Sequence, residues 1–175
     1  FDSYILRMRY SDWSNIFYGA VPVAAVLSGL SWPTVAGLAV AWIALGVGSY
    51  LGHTRDSRLW WTVDVLTMYG AVMSLPIAVG AETLTPLLWA SYPAVLGLHW
   101  TLFQKRRMKL SVGVYGAAGL ISLFAVSEWL SLIPFAAFGL ALYFRLKLST
   151  SNHDQEHGHW HTLSALAGTI AALII

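Results

Sequence analysis

The chain has 175 residues, of which 57% are apolar, 14% are aromatic and only 10% are charged. Soluble domains carry about 25% charged residues, so this composition excludes an ordinary water-facing surface and predicts helices that face lipid. The absence of cysteine excludes disulfides, iron–sulfur clusters, cysteine-ligated zinc and thiol nucleophiles, and a formal net charge of +2 is too small to indicate nucleic-acid binding. Any metal site must therefore use histidine and carboxylate ligands.

Hydrophobic stretches follow one another along the whole chain, most of them close to the roughly 20 residues that a membrane-spanning helix needs. We predict an all-α fold, a polytopic bundle of seven transmembrane helices in a single domain over residues 1–175. The predicted spans are 16–30, 33–53, 59–79, 84–103, 110–125, 129–146 and 157–175. The segments that connect these spans are short.

The charged residues are segregated by this seven-span arrangement. All ten cationic residues fall on the side that holds the N-terminus: Arg7, Arg9, Arg55, Arg58, Lys105, Arg106, Arg107, Lys109, Arg145 and Lys147. The opposite side carries only Glu82 and Glu128. Because cytoplasmic loops carry the excess of lysine and arginine, we expect a multi-pass integral membrane protein with its N-terminus in the cytoplasm.

Polar residues inside predicted spans are costly and mark candidate functional sites. Five of them share one shallow layer near the cytoplasmic ends of three spans: Ser49, His53, Asp64, His157 and His161. Ser49 and His53 are four residues apart, as are His157 and His161, so each pair shares a helical face. Three imidazoles with an open fourth position form a known catalytic zinc arrangement. Asp64 can then act as a base or fix an imidazole tautomer, and Ser49 can donate a hydrogen bond to an oxyanion.

Other readings of the histidines stay open at this point. A histidine pair spaced by four also suits a membrane interface without any metal. His153 has the same spacing to His157 and is an alternative to His161 as a ligand, whereas His159 points to another face. His99 is interpreted as a packing residue. The chain has no G-x-S-x-G elbow, and no lysine lies inside the last predicted span to form a retinal Schiff base.

Three segments of the chain resemble the alkaline ceramidases. They are GVGSYLGHT, WTVDVLTMYG and EHGHWHTLSALAG, and SDWSN before the first predicted span is similar to a segment of those enzymes. The wider superfamily of membrane hydrolases, which includes the adiponectin and progestin receptors, has the signature S-x-x-x-H, a later Asp, and H-x-x-x-H in the last helix. Here this signature corresponds to Ser49, His53, Asp64, His157 and His161.

The resemblance implies a zinc-dependent lipid amide hydrolase that works within the bilayer. His53, His157 and His161 would be the Zn²⁺ ligands, Asp64 the base or water-orienting group, and Ser49 the oxyanion donor. A ceramide-like lipid would enter from the bilayer and leave as a long-chain base and a fatty acid. The short chain suggests a bacterial member, located in the cell (inner) membrane with its zinc site on the cytoplasmic side.

Three alternatives to this function remain. The same site in the same superfamily can cleave a phospholipid acyl ester. A receptor or sensor with a structural zinc is the second alternative, and a small transporter or haem-type electron carrier is the third.

Overall fold

The computed structural model describes residues 9–55, 57–104, 108–147 and 153–175. Over these residues the fold is all-helical and contains no strand, which confirms the predicted all-α class. The helices in chain order are α1 (Tyr10–Trp13), α2 (Ala20–Leu27), α3 (Trp32–Thr54), α4 (Arg58–Thr83), α5 (Tyr92–Gln104), α6 (Met108–Ser127), α7 (Leu132–Lys147) and α8 (His153–Ile174). Short 3-10 helices cover Ser14–Gly19, Pro86–Ser91 and Glu128–Ser131.

Three helical stretches of the described chain are long and apolar enough to cross a membrane: Trp32–Thr54, Arg58–Thr83 and Ala117–Phe144. The first two agree with the predicted spans 33–53 and 59–79 within a few residues. The third contains Glu128, whose φ of 45° interrupts the helical path between α6 and the following 3-10 helix. The sequence predicts a connector between two spans at this point.

Three predicted spans differ from the observed helices. The span predicted over 84–103 begins as the 3-10 helix Pro86–Ser91 and is α-helical only from Tyr92. The span predicted over 16–30 begins as a 3-10 helix and ends at Leu27, where Gly29 takes a left-handed φ of 73° that closes the turn. The last helix begins at His153, four residues before the predicted start at 157. Asp154 and Glu156 lie in its first turn, and acidic side chains there stabilise the helix through its dipole.

The bundle is closed by contacts between the two ends of the chain. Helix α8 packs against α2, α7 and the 3-10 helix at Ser14–Gly19, and α3 packs along α4. Between these helices lies a buried core that contains Tyr18, Leu38, Trp42 and Leu45 together with small residues such as Ala71, Ala78, Ala165 and Ala172. Small residues let helix backbones approach closely where no water drives their association.

Apolar side chains also cover the outer surface of the bundle. Ile16, Leu27, Trp32, Leu84 and Leu87 are each at least 70% exposed. A water-facing protein rarely exposes so much contiguous apolar area, whereas a lipid-facing one requires it. The outer surface therefore agrees with the helices that can cross a membrane.

The two ends of the bundle differ in their polar contacts. At one end the Arg9 guanidinium donates to the His53 carbonyl oxygen at 3.2 Å, and Arg55 and Arg58 flank the turn between α3 and α4. At the other end Ser31 donates to Glu82 through its backbone N–H and its hydroxyl. The predicted positive face also includes residues outside the described ones (Arg7, Lys105, Arg106 and Arg107), and the side chains of Lys109, Arg145 and Lys147 lie outside the described part as well.

Candidate metal centre

The structure brings His53 together with His157 and His161, which lie more than 100 residues later in the sequence. His53 lies in the last turn of α3, while His157 and His161 lie on successive turns near the start of α8. One ring nitrogen from each histidine lies within 4.8 Å of the others. His157 and His161 are buried and His53 is half-buried. Such a cluster can hold a metal ion through three nitrogen ligands.

The three imidazole rings are arranged around a common centre. The ring centroids of His53 and His157 are 4.4 Å apart with an interplanar angle of 86°, and those of His157 and His161 are 4.6 Å apart at 84°. His53 and His161 complete the triangle with centroids 5.3 Å apart. These ring angles also occur between aromatic rings that pack edge to face, so the closeness of the three ring nitrogens, and not the angle between the rings, is what indicates a metal site.

The tautomer of His161 follows from its hydrogen bonds. Its Nδ1 lies 3.1 Å from the Ser11 carbonyl oxygen, which can only accept, so Nδ1 carries the hydrogen. The Ser14 hydroxyl lies 3.0 Å from the same Nδ1 and donates its own hydrogen to the Ser11 carbonyl, so it accepts from the ring. A neutral imidazole protonated at Nδ1 presents its lone pair at Nε2. His161 is therefore prepared to bind a metal through Nε2.

Ser49 lies beside the Nε2 atom of His161. The Ser49 Oγ is 3.4 Å from His161 Nε2, and its side chain is only 2% exposed. Ser49 stands one helical turn before His53 on α3, as the i, i+4 spacing predicts. Its hydroxyl is thus held at the edge of the histidine cluster and away from solvent.

Close packing of α3 and α4 brings Asp64 against Gly52, the residue before His53. A Cβ atom added at Gly52 would lie 2.8 Å from Asp64 Cβ, and one added at Gly48 would lie 2.6 Å from the Thr67 hydroxyl. The two glycines therefore permit a backbone approach that no larger residue allows. Asp64 faces α3 beside the residue that precedes His53.

A buried tyrosine forms one wall of the centre. The ring centroid of Tyr18 is 5.9 Å from that of His161 and 5.9 Å from that of Trp42, and Tyr18 is 2% exposed. The Asp64 carboxylate is near enough to act electrostatically on its phenol. Tyr18 therefore contacts the histidine cluster on one side and belongs to the apolar core on the other.

The other histidines of the described chain lie outside the cluster. His159 is exposed, and its ring contacts those of Tyr10 and Phe144, with centroids 5.5 Å and 5.0 Å away. His99 is fully buried against Tyr69, with ring centroids 4.0 Å apart. Both placements agree with the sequence interpretation. The side chain of His153, the alternative ligand, lies outside the described part of the structure.

Sequence reasoning missed the residues that surround His161 on its outer side. Ser11 and Ser14 contact its Nδ1, and the Asp154 carboxylate accepts three hydrogen bonds from residues 10 and 11. The sequence places Asp154 in a polar connector, and its partners are more than 140 residues away. Ser11 and Ser14 lie in the SDWSN segment that the sequence analysis singles out, but nothing in that segment indicates a contact with His161.

Comparison with known protein families, with curated proteins and with solved structures gives no match to this chain. Its class therefore follows from its own structure. It is an all-helical protein with three helices able to span a membrane, and three histidines at one end of its bundle lie close enough to bind a metal ion.

Proposed function

We propose that this protein is a zinc-dependent intramembrane lipid amide hydrolase, similar to the alkaline ceramidases, within a seven-helix transmembrane bundle. The observation that carries the proposal is the cluster of His53, His157 and His161 with Ser49 and Asp64 at its edge. The cluster lies at one end of a bundle with membrane-type helices. In this proposal the reaction splits a ceramide-like lipid into a long-chain base and a fatty acid.

The donor set favours zinc. Three neutral imidazoles without a thiol or a close ring of carboxylates suit a borderline divalent ion rather than calcium or magnesium, which prefer oxygen ligands. Bound zinc supplies a Lewis acid that polarises an acyl carbonyl and lowers the pKa of a water ligand to about 7. His161 would contribute Nε2, because its Nδ1–H is donated to the Ser11 carbonyl.

Ser49 would act as a hydrogen-bond donor to the reacting carbonyl oxygen. Its hydroxyl is directed to the Nε2 lone pair of His161 at 3.4 Å. If a cation binds the Nε2 lone pair, the Ser49 hydroxyl no longer donates to His161. It could then donate to a substrate oxygen beside the cation. A donor held there by buried helix packing needs no reorganisation as negative charge develops, which is the physical basis of oxyanion stabilisation.

Asp64 would hold and move the proton of the attacking water. It is the acidic residue that the close contact of α3 with α4 brings against Gly52, which precedes the ligand candidate His53. A carboxylate in that position can accept the proton that water loses and pass it to the amine leaving group. Because Gly52 and Gly48 fix the spacing of the two helices, Asp64 is held on a rigid element, as catalytic geometry requires.

The surroundings of the centre favour a lipid substrate. The exposed apolar side chains on the outer surface suit a substrate that arrives within the membrane rather than from water. The segregated arginines support an orientation with the centre on the cytoplasmic side of the bacterial inner membrane. The sequence resemblance favours an amide over an ester bond. The seven hydrophobic stretches and the segregated charges are what motivate the proposal of seven spans.

Metal content of purified variants tests the ligand set. Wild-type protein should bind one zinc ion per chain, and His157→Ala and His161→Ala should each lose most of it because two ligands rarely hold zinc. His159→Ala is the matched control, since it removes an exposed imidazole from the same helix outside the cluster. Undiminished zinc in both ligand variants would contradict the assignment.

Product release tests the chemistry. The purified protein is incubated in mixed micelles with a ceramide or with a phosphatidylcholine, and released fatty acid is measured with and without a chelator. We expect fatty acid from the ceramide and its loss on chelation. Release from the phospholipid alone would indicate an acyl-ester hydrolase, and no release from either lipid by zinc-loaded protein would overturn the hydrolase proposal.

A further inference from the structure

We propose that residues 10–14, called here the N-terminal clamp, are a positioning element that fixes the tautomer and orientation of His161 and thereby sets the metal affinity of the centre. The clamp is fastened to the opposite end of the chain by Asp154. The inference rests on the metal centre of the proposed function and is independent of which lipid is cleaved.

Asp154 is the residue that fastens the clamp. One of its carboxylate oxygens accepts from the Ser11 N–H at 3.0 Å and from the Ser11 hydroxyl at 2.6 Å, and the other accepts from the Tyr10 N–H at 2.9 Å. Hydrogen bonds to an ionised acceptor are roughly twice as strong as neutral ones. Three of them on one carboxylate fix the backbone of residues 10 and 11 relative to the first turn of α8.

The tyrosine of the clamp adds a second attachment to α8. The Tyr10 hydroxyl lies 3.0 Å from the Thr162 hydroxyl, which itself donates to the Gly158 carbonyl, so Tyr10 donates to Thr162. A Cβ atom at Gly158 would lie 2.2 Å from the Tyr10 ring, so only glycine permits this contact. The clamp therefore contacts α8 on both sides of His157.

The fixed backbone then acts on His161. The Ser11 carbonyl accepts from His161 Nδ1 at 3.1 Å and from the Ser14 hydroxyl at 3.0 Å, and the Ser14 hydroxyl lies 3.0 Å from the same Nδ1. Ser11 and Ser14 are 5% and 0% exposed, so water does not compete for these bonds. When the ring nitrogen that does not bind the metal donates to a fixed acceptor, that hydrogen bond determines the histidine tautomer and the direction of the lone pair on the other nitrogen.

A similar serine–carboxylate contact at the other end of the bundle provides a matched control. Ser31 donates to Glu82 through its N–H at 3.1 Å and its hydroxyl at 2.5 Å. Glu82→Ala therefore removes the same kind of contact as Asp154→Ala, but far from the histidines. If Asp154→Ala weakened zinc binding only by destabilising the fold in general, Glu82→Ala would weaken it equally.

The experiment measures two properties of full-length protein in detergent micelles. The first is the ¹⁵N chemical shift of the His161 ring nitrogens in histidine-labelled, chelator-treated protein, which reports which nitrogen carries the hydrogen. The His161 signals are assigned as those that disappear in His161→Asn. The second is the dissociation constant for zinc, measured by competition with a chromogenic chelator. The variants are Asp154→Ala, Ser14→Ala and Glu82→Ala.

We expect wild-type His161 to be protonated at Nδ1, with a mixture of tautomers in Asp154→Ala. Zinc affinity should fall about 10- to 100-fold in Asp154→Ala and Ser14→Ala, the usual cost of removing an outer partner of a metal ligand. Glu82→Ala should keep the wild-type tautomer and affinity. Ser14→Ala still tests the inference if Asp154→Ala does not fold.

The inference is overturned if wild-type His161 is protonated at Nε2, if both clamp variants bind zinc with wild-type affinity, or if Glu82→Ala weakens zinc as much as Asp154→Ala. A wild-type protein that binds no zinc would instead contradict the proposed function. In that case the tautomer measurement still decides whether the clamp orients His161.

Discussion

Gly52→Ala tests whether the spacing of α3 and α4 sets the geometry of the centre. The new Cβ would lie 2.8 Å from Asp64 Cβ and 3.3 Å from the Trp60 carbonyl oxygen. Carbon atoms in contact are about 3.5–4.0 Å apart, so the two helices must separate locally by about 0.7 Å or more. Overpacking of this kind costs about 1–3 kcal/mol, while the gain in helix propensity over glycine is about 1 kcal/mol.

Gly139→Ala is the matched control for this substitution. A Cβ atom at Gly139 meets nothing within 4 Å, so this variant receives only the propensity gain of roughly 0.5–1 kcal/mol. The difference in free energy of unfolding between the two variants isolates the contact with Asp64, and it should be about 1–3 kcal/mol. Apparent melting in detergent, followed by intrinsic fluorescence, measures it.

In the proposed hydrolase, Gly52→Ala should lower turnover by a larger factor than its effect on stability alone would cause. Productive geometry tolerates displacements of about 0.5 Å, and a displacement of 1 Å can lower turnover about 100-fold. We expect ceramide hydrolysis to fall about 10- to 100-fold at 20 °C, with zinc content unchanged because all three histidines are present. Wild-type turnover in a Gly52→Ala protein that is no less stable than Gly139→Ala would refute the reasoning.

Three further predictions concern pH, packing and metal removal. Burial raises the pKa of the Asp154 carboxyl, but hydrogen bonds from the clamp and the charge of Arg9 outweigh it and hold this pKa below its usual range. The ionised carboxylate therefore stabilises the fold above about pH 4, and this stability is lost as the pH falls through the lowered pKa. The melting temperature of the wild type should therefore fall between pH 6 and pH 3, and that of Asp154→Asn should change less over the same range. Gly168→Ala should destabilise the protein by about 1–3 kcal/mol, because its Cβ would lie 2.3 Å from the buried Trp42 ring, and an unchanged melting temperature would contradict this packing. Free zinc at 100 times its dissociation constant should stabilise the folded protein by about 2.7 kcal/mol, and a chelator should remove this stabilisation. Equal melting temperatures with and without chelator would contradict zinc binding to the folded state.

The sequence predicted the helical class and the candidate ligands because both depend on local patterns. Apolar stretches of sufficient length predict helices 33–53 and 59–79, which the structure shows within a few residues. The spacing of four residues between His157 and His161 places both on one face of any helix that contains them. These properties follow from helical periodicity and need no knowledge of neighbouring helices.

The exact ends of helices were less predictable because they depend on partners elsewhere. The start of α8 at His153 rather than at 157 is stabilised by an acidic first turn, and Asp154 in that turn is held by residues from the other end of the chain. The break at Glu128, by contrast, falls in the connector predicted between spans 110–125 and 129–146, although no sequence pattern indicates the left-handed φ of this glutamate.

The sequence by itself determined that this is a membrane-type helical protein with three histidines, an aspartate and a serine at similar depth. Only the tertiary structure decided that His53 meets His157 and His161, since helical periodicity fixes which face a residue occupies but not which helix covers that face. The same is true of the tautomer of His161. Its Nδ1–H is fixed by the Ser11 carbonyl, a backbone group 150 positions away that no side-chain pattern can reveal.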